Sequence, residues 1–151
     1  MSGTSRVGAG PVPGDLLLHP APLGTAAVIV FNDLWLKVHW AGWVSGKLSD
    51  LAICFLLPVT LAAAVEWMAW TAHRPWRAGA SVRWGACALA AAYFTALQLS
   101  PVAARIHVAV LEAVVPGTRF AVTPDPTDLV ALLAIPLAWC YLATRRSTFP
   151  R

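Results

Sequence analysis

Charged side chains are scarce in this sequence. Lys, Arg, Asp and Glu make up 12% of its 151 residues, whereas they make up about 25% of an average soluble domain. Because so little charge cannot cover the surface of a globule, the composition excludes an ordinary soluble enzyme. It also excludes a disordered chain, because 58% of the residues are apolar and disorder requires low hydrophobicity with high net charge. A small multi-pass membrane protein remains.

Motifs of other protein classes are missing too. The eleven Lys and Arg residues stand singly or in pairs and form no stripe that would follow phosphates, so nucleic acid is not an expected partner. The three cysteines lie in apolar stretches without a Cys-x-x-Cys pair, which indicates buried thiols rather than disulfides or a zinc site. The sequence has no His-Glu-x-x-His, nucleophile elbow or glycine-rich phosphate loop. No cofactor is predicted, apart from a bound cation, and the balance favours a protein that is not an enzyme.

Long apolar segments are what the chain does have. A helix needs about 20 apolar residues to cross roughly 30 Å of hydrocarbon, and four segments qualify. They are residues 22–40, 51–72, 84–104 and 129–144. We therefore predict an all-α fold with a single four-helix membrane domain over 21–146, a flexible N-terminal segment over 1–20 and a C-terminal tail over 147–151.

Basic residues predict the orientation of these spans, because Lys and Arg in short loops are retained in the cytoplasm. Three arginines stand between the second and third spans and three follow the fourth, namely Arg74, Arg77, Arg83, Arg145, Arg146 and Arg151. Both groups lie on one side, so both termini should be cytoplasmic. Belts of aromatic residues at the two interfaces favour the same arrangement. The inner belt would contain Trp67, Trp70, Trp76, Trp84 and Trp139, and the outer belt Trp40 and Trp43.

Two further features concern packing. Residues 102–115 have apolar positions at helical spacing, which predicts an extra amphipathic helical segment on or above the outer face of the membrane. Small residues recur every four positions in the third span, at Ala88, Ala92, Ala96 and Ser100. Because small residues let helices approach closely in a bilayer, this face is predicted to contact another helix within the chain. The alternative is a homo-oligomer or another membrane partner.

Polar residues inside a membrane are costly and usually face a bundle interior or a wet cavity. The inner half of the spans has Glu66 as its only acid, which we expect to pair with an arginine of the following loop. Three acids from separate spans gather toward the outer side, at Asp33, Asp50 and Asp128. Neutral polar residues and two lysines accompany them, namely Asn32, Ser49, Thr127, Gln98, Lys37 and Lys47. The pattern predicts an outward-facing polar pocket for a proton or a cation, because carboxylate and neutral oxygens suit hard cations.

Simpler roles for these residues stay open. Asp50 and Asp128, like Asp125, stand where acidic residues cap helix N-termini. Lys37 follows Asp33 by four residues, which is the spacing of an ion pair within one helix. A local duplication with two proline-kinked spans is a further hypothesis. It depends on Ser49-Asp50-Leu51 followed by Pro58 and on Thr127-Asp128-Leu129 followed by Pro136.

Three motifs together resemble a known group of proteins. They are Asn32-Asp33-Leu34 with Lys37, Gly46-Lys47-Leu48-Ser49-Asp50, and Pro124-Asp125-Pro126-Thr127-Asp128-Leu129. On these motifs the chain resembles an uncharacterised family of small multi-pass membrane proteins of bacteria. The resemblance implies a location in the bacterial inner membrane and implies no activity.

We expect an integral membrane protein whose polar pocket binds a cation or proton in transport or sensing. Two alternatives remain. A membrane-embedded hydrolase would use the carboxylates with His39 or His107 to hold a metal against a lipid headgroup. A structural or assembly subunit without a ligand would use its charges only to cap helices and fix topology. The lipid bilayer is the expected partner in all three cases.

Overall fold

The fold is seen in a computed structural model that describes residues 13–40, 42–72 and 79–145. Within these residues every regular element is a helix and no strand occurs, in agreement with the predicted all-α class. A π-helical segment (Asn32–Leu36) joins the first two α-helices, and a 3-10 helix (Pro126–Leu133) leads into the last. The α-helices are α1 (Pro20–Phe31), α2 (Lys37–His39), α3 (Trp43–Thr71), α4 (Ala80–Leu99), α5 (Pro101–Val114) and α6 (Ala134–Thr144).

Three helical segments are long and apolar enough to cross a membrane. They are Pro20–His39, Trp43–Thr71 and Pro126–Thr144. The pair of α4 and α5 passes the same test together, but the two helices are bent by 109° at their junction. The described chain is therefore that of a multi-pass membrane protein, with three spans, or four when the bent pair is counted as one.

The third span differs from its prediction, which runs to residue 104. α4 ends at Leu99, and Ser100 has extended backbone angles (φ −123°, ψ 110°), because the residue before a proline is held away from the helical region. Pro101 then opens α5, and the Ser100 hydroxyl accepts a hydrogen bond from the Ala103 N–H at 3.2 Å. The extra helix that the sequence predicts around residues 102–115 is thus present as α5, beyond a sharp corner.

The second span begins earlier than predicted, at Trp43 rather than at residue 51. Gly42 precedes the helix in an extended conformation. The Ser45 hydroxyl accepts from the Gly42 N–H at 3.3 Å and donates to the Gly42 carbonyl at 2.9 Å. This local structure places Asp50 about two turns inside α3 rather than at its N-terminus.

The fourth span starts as a 3-10 helix rather than as an α-helix. Its first residue is Pro126, and the Asp125 carboxylate caps it by accepting a hydrogen bond from the Thr127 N–H at 2.8 Å. Asp128 therefore lies in a 3-10 segment, whereas Asp50 lies in an α-helix. The two segments of the hypothetical duplication have different backbone conformations, and the duplication stays a prediction.

α3 is the centre of the bundle and packs against α1, α4, α6 and the 3-10 helix. Many of the buried positions are alanines, namely Ala52, Ala62, Ala63, Ala86, Ala90, Ala104, Ala131, Ala134 and Ala138. Such small side chains let helices approach closely, which is the main source of packing energy where lipid surrounds the protein. Many large apolar side chains lie on the outside instead, as a lipid-facing surface requires.

The predicted small-residue face of α4 is largely open in the described chain. Ala88, Ala92 and Ala96 are exposed, and Ala96 lines the corner between α4 and α5. The face of α4 that packs against the bundle is a different one, which carries Ala90 and Phe94. Contact of the small-residue stripe with a second copy or another membrane protein stays a prediction.

Residues 13–19, predicted to belong to a flexible segment, pack against one end of the bundle. Leu16 is buried, and its carbonyl accepts a hydrogen bond from the Tyr141 hydroxyl at 2.6 Å. The Gly14 N–H donates to Glu66 Oε2 at 3.4 Å. The segment packs there because it gives Glu66 and the Tyr141 hydroxyl hydrogen-bond partners and buries the Leu16 side chain. Residues 1–12 and the tail at 147–151 lie outside the described residues.

The bundle has two distinct ends. The terminal end holds residues 13–19, the C-termini of α3 and α6 and the N-terminus of α4, and the loop end holds the remaining connections. Tryptophans occur at both ends, as interface belts do. Trp67, Trp70, Trp84 and Trp139 lie at the terminal end, and Trp40 and Trp43 lie at the loop end. Arg74, Trp76, Arg77, Arg146 and Arg151 fall outside the described residues.

Candidate functional site

The loop end contains a set of buried and half-exposed polar side chains from three spans, which we call the polar layer. The first span, α3 and the 3-10 helix each contribute to it. The polar layer consists of Asn32, Asp33, Lys37, Ser45, Lys47, Ser49, Asp50, Thr127 and Asp128. With the exception of Ser45, these are residues that the sequence predicts for the site.

Asn32 joins the first span to α3. It is fully buried, and its amide nitrogen donates to the Ser45 carbonyl at 2.8 Å and to the Ser49 hydroxyl at 2.6 Å. The Ser49 hydroxyl in turn donates to Asp33 Oδ1 at 3.3 Å. The amide oxygen of Asn32 is buried without a hydrogen-bond partner. One acceptor therefore remains free inside the polar layer.

The backbone of the first span is widened at the same point. The π-helical segment begins at Asn32, and the Lys37 N–H donates to the Asn32 carbonyl five residues earlier. Short π segments inside α-helices occur frequently at functional positions. Here the segment coincides with the residues through which the span contacts the polar side of α3.

Asp33 forms an ion pair with Lys37 of the same span, and the distance between Oδ1 and Nζ is 2.6 Å. Their side chains are 47% and 45% exposed, so the pair lies at the edge of the polar layer. This is the ion pair that the i, i+4 spacing predicts. The hydrogen bond from Ser49 still connects Asp33 to the buried part of the layer.

Lys47 is the most deeply buried charge of the polar layer, with 8% of its side chain exposed. Its ammonium group donates to Thr127 Oγ1 at 2.7 Å and forms an ion pair with Asp128 Oδ1. Ser45 and Ser49 each stand two residues away, which is roughly 200° around a helix. α3 therefore presents its serines to the first span and Lys47 to the fourth.

Asp50 is the third acid, and it is half-buried between these two contacts. It interacts electrostatically with Asp128, Lys47 and Lys37. In the described chain no ion pair of a basic side chain with Asp50 occurs. The Asp50 carboxyl interacts with that of Asp128, and a hydrogen bond between two carboxyl groups requires a proton on one of them.

Gln98 and Asp125 fix the entry to the fourth span rather than line the polar layer. Gln98 is buried, and its Oε1 accepts from the Asp125 N–H at 3.1 Å. The hydrogen bond from the Thr127 N–H holds the pKa of the Asp125 carboxyl below its usual 3.8. Asp125 is therefore a helix cap, whereas Asp128 directs its carboxylate at a lysine and Asp50 lies inside α3.

The predicted site residues form two groups rather than one shared pocket. Asn32, Asp33, Lys37 and Ser49 form the first, and Lys47, Thr127 and Asp128 form the second. Asp50 connects them by its electrostatic interactions with both lysines. The sequence analysis does not predict Ser45, whose carbonyl accepts a hydrogen bond from the Asn32 side chain. The available signal is its position four residues before Ser49, which places both serines on one face of a helix.

Glu66 is more buried than the sequence indicates, with 1% of its surface exposed. It accepts the hydrogen bond from the Gly14 N–H, and the turn at Gly14 packs closely against the side chain of Trp67. Gly14 has a φ of +92°, and a Cβ at this position would come 3.1 Å from the indole nitrogen of Trp67. Of the arginines in the following loop, Arg74 and Arg77 lie outside the described residues. Arg83 is described, and its guanidinium carbon lies over the Trp139 ring, 5.9 Å from the ring centroid.

The described residues assemble no metal site. In residues 13–40, 42–72 and 79–145, no group of three or more His, Cys, Asp or Glu side chains is arranged to hold a metal ion. His39 Nδ1 lies 2.8 Å from the Trp35 carbonyl, and His107 is hydrogen-bonded to Tyr93. The hydrolase hypothesis therefore gains no support from this part of the chain.

The geometry of the polar layer is the basis for any functional proposal. Comparison of the chain with protein-family models, with curated protein sequences and with solved structures gives no match.

Proposed function

We propose that the polar layer binds a proton or a small cation, as part of transport or sensing. One observation carries the proposal: three carboxylates share the layer with two ammonium groups. The acids are Asp33, Asp50 and Asp128, and the bases are Lys37 and Lys47. An unbalanced charge inside a membrane is costly. One proton or one cation would balance the layer.

Asp50 is the position where we place the missing positive charge. The other two acids already have lysine partners, at Lys37 and Lys47. A proton would be shared between the carboxyl groups of Asp50 and Asp128, which interact with each other. A cation would find carboxylate oxygens there together with the hydroxyl of Thr127, which is the type of ligand that hard cations prefer.

Lys47 gives the polar layer a way to respond to binding. Its ammonium group is bound to Asp128 and Thr127, so a proton or cation competes with it for these oxygen atoms. Displacement of Lys47 would weaken the contact between α3 and the fourth span. Binding and helix movement are then coupled, because a ligand shifts a conformational equilibrium by its different affinity for the two states.

We further propose a four-helix bundle in a bacterial inner membrane, with both termini in the cytoplasm. The first and last described segments meet at the terminal end, where the Tyr141 hydroxyl bonds the Leu16 carbonyl. Arg83 and Arg145 lie at this same end, and basic residues favour the cytoplasmic side. The polar layer would then face the periplasm.

Thermal unfolding of the purified protein in detergent tests the proposal. We expect the midpoint of the parent protein to shift with pH, or with Na⁺ or K⁺ against choline at constant pH. Asp50→Asn should remove most of this shift, because the neutral amide removes the excess charge. Glu112→Gln is the matched control and should retain it, because Glu112 is an exposed carboxylate on α5, outside the polar layer. An Asp50→Asn protein that responds as the parent does would contradict the proposal.

The same experiment distinguishes the two ligands. A shift that occurs with pH in choline and is unchanged by Na⁺ or K⁺ identifies a proton. A shift with one metal cation at constant pH identifies that cation.

An assembly subunit is a second candidate, and one observation favours it. Ala88 and Ala92 are the exposed small residues of α4 that lie outside the corner with α5, and small residues allow close contact between membrane helices. We propose that a second copy or another membrane protein packs there. Native mass spectrometry of Ala92→Leu should then show a smaller assembly than the parent, and an unchanged assembly would exclude this contact.

A further inference from the structure

α4 and α5 meet in a corner whose inner side is apolar on both arms. The two helices are bent by 109°, and a groove of about 320 Å³ runs along the corner. Its apolar lining comes from both helices and includes Ala96, Leu97, Ala103, Ile106 and Val110. The concave side of the bend therefore offers a continuous apolar surface.

α5 carries an exposed apolar stripe on the side of this corner. Val102, Ile106, Val110 and Val114 are 55%, 60%, 56% and 72% exposed. They recur every fourth residue and so lie along one face of the helix. Four large apolar side chains on one open face indicate a surface that another apolar phase covers.

The polar side of α5 is the one that carries Arg105 and Glu112, and it faces the following connection. These two charged residues line a second, otherwise largely apolar cavity, together with Phe120, Ala121, Val122 and Pro124. The Phe120 N–H donates to Glu112 Oε1 at 3.5 Å. α5 thus adjoins the following connection on the polar side, whereas on the valine side the described chain adjoins it only with the α4 wall of the corner.

α4 alone is long enough to cross the membrane, although it passes the test of length and apolarity only together with α5. Its 20 residues extend over roughly 30 Å, which is the thickness of the hydrocarbon core. Leu89 and Tyr93 are exposed on α4, and in a membrane they would face lipid on the surface that leads into the corner. The valine stripe of α5 continues this surface at roughly a right angle to α4. For a helix α4 that crosses the membrane, this direction is that of the bilayer plane.

We infer that α5 lies flat on the bilayer at the loop end, with its valine stripe in the lipid and an acyl chain of a phospholipid in the α4–α5 groove. An amphipathic helix of this kind buries its apolar face at the boundary between headgroups and acyl chains. The occupant is lipid rather than protein because the groove is continuous with the lipid-facing side of a membrane-spanning helix. This inference does not depend on the proposed function of the polar layer.

A hydrogen bond holds the corner at its angle. The Tyr93 hydroxyl on α4 and His107 Nδ1 on α5 are 2.5 Å apart, and their rings meet edge to face. Both polar groups are satisfied by each other, which lowers their cost beside lipid. Tyrosine is also a residue that membrane interfaces favour.

Site-directed spin labelling in lipid nanodiscs tests the inference. The matched positions are Val110→Cys, on the valine stripe, and Glu112→Cys, on the polar side of the same helix. The background is Cys140→Ala, because Cys140 is exposed whereas Cys54 and Cys87 are buried. The background protein without an added cysteine, treated with the same spin label, reports residual labelling. We expect oxygen, which concentrates in lipid, to relax the label at Val110 several-fold more than a water-soluble nickel complex does, and the reverse at Glu112.

Two results would overturn the inference. Access of the nickel complex to Val110 equal to that at Glu112 would place α5 in water above the membrane. Exclusion of both reagents from Val110, with dipolar coupling between labels of two molecules, would show that a second copy covers the stripe. Ile106→Cys with Arg105→Cys forms an independent pair of positions, so that the test does not depend on the folding of one variant.

Discussion

Lys47 illustrates how one buried residue can hold two spans together. Its ammonium group lies between α3 and the 3-10 helix and contacts both Thr127 and Asp128. A buried ion pair gains little over an apolar pair of similar volume, but the loss of a single partner leaves an uncompensated charge. The residue is therefore sensitive to substitution in a way that the exposed pair of Asp33 and Lys37 is not.

Lys47→Met should lower the free energy of unfolding by about 3–5 kcal/mol, because Asp128 keeps its buried charge and loses its partner. The control Lys37→Met should cost only about 0.2–1 kcal/mol, since exposed ion pairs contribute little. Adding Asp128→Leu to Lys47→Met should restore most of the loss. Denaturant unfolding in detergent measures all three, and equal losses for Lys47→Met and Lys37→Met would contradict the prediction.

The Asp125 cap predicts a loss of stability in acid. The pKa of its carboxyl in the folded protein lies below the usual 3.8 because it accepts a hydrogen bond from the Thr127 N–H. A lowered folded-state pKa gives stability that is present above the unfolded-state value and is lost as the pH falls through the folded-state value.

The thermal midpoint should therefore decline below about pH 4, and Asp125→Asn should decline less steeply over the same range. The asparagine keeps an acceptor for the Thr127 N–H and does not titrate. Parallel curves for the parent and the variant would show that the cap does not contribute to the acid response.

The sequence predicts some of these residue contacts better than others. The Asp33 and Lys37 pair follows from a spacing of four residues. The Lys47 and Asp128 pair joins residues 81 positions apart, so no local pattern reveals it. The three acids are predicted at one depth because depth depends only on position in a span, whereas their partners depend on how the spans pack.

At the scale of the helices, apolar run length predicts the existence of each span but not its ends. The bounds of α3 and α4 are fixed by local hydrogen bonds and by proline instead, at Ser45 and Pro101. A window of mean hydropathy runs past Ser100, because one serine and one proline change the average little. The π-helical segment at Asn32 has no signal in apolar periodicity, because it depends on the contact of Asn32 with α3.

Asn32→Leu should destabilise the docking of the first span on α3. The substitution removes the hydrogen bonds to Ser45 and Ser49, and the loss should amount to about 1–3 kcal/mol, the cost of leaving buried polar groups unpaired. Thr25→Val in α1 is the matched control, because its exposed hydroxyl bonds only the Ala21 carbonyl of its own helix. Thermal unfolding compares the two, and a loss for Asn32→Leu no larger than for Thr25→Val would contradict the prediction.

At the scale of the whole molecule, composition alone predicts the membrane class, and the basic residues predict its orientation. The packing of residues 13–19 on the terminal end is not predicted, because a short segment with glycine and proline has no helical or apolar pattern. Its contacts with Glu66 and Tyr141 exist only after the spans have assembled.

Reporter fusions should place both termini in the cytoplasm. Green fluorescent protein fused after Arg151 or before Met1 should fluoresce, because it folds on the cytoplasmic side. Alkaline phosphatase inserted in the α5 to 3-10 connection, at Gly117, should be active, because it requires the periplasm. An active phosphatase at either terminus would reverse the orientation and turn the polar layer toward the cytoplasm.

α3 carries Asp50 near one end and the buried acid Glu66 near the other, separated by 16 positions, or roughly 24 Å along the helix axis. Between them its buried side chains are Ala52, Cys54, Pro58, Val59, Ala62 and Ala63, which form no hydrogen-bonded chain along which a proton could hop. In the proposed function, a charge taken up at Asp50 would have no polar path to Glu66 in this conformation. The polar layer would then sense the chemistry of one side of the membrane, and passage of a proton through the chain would require α3 to move.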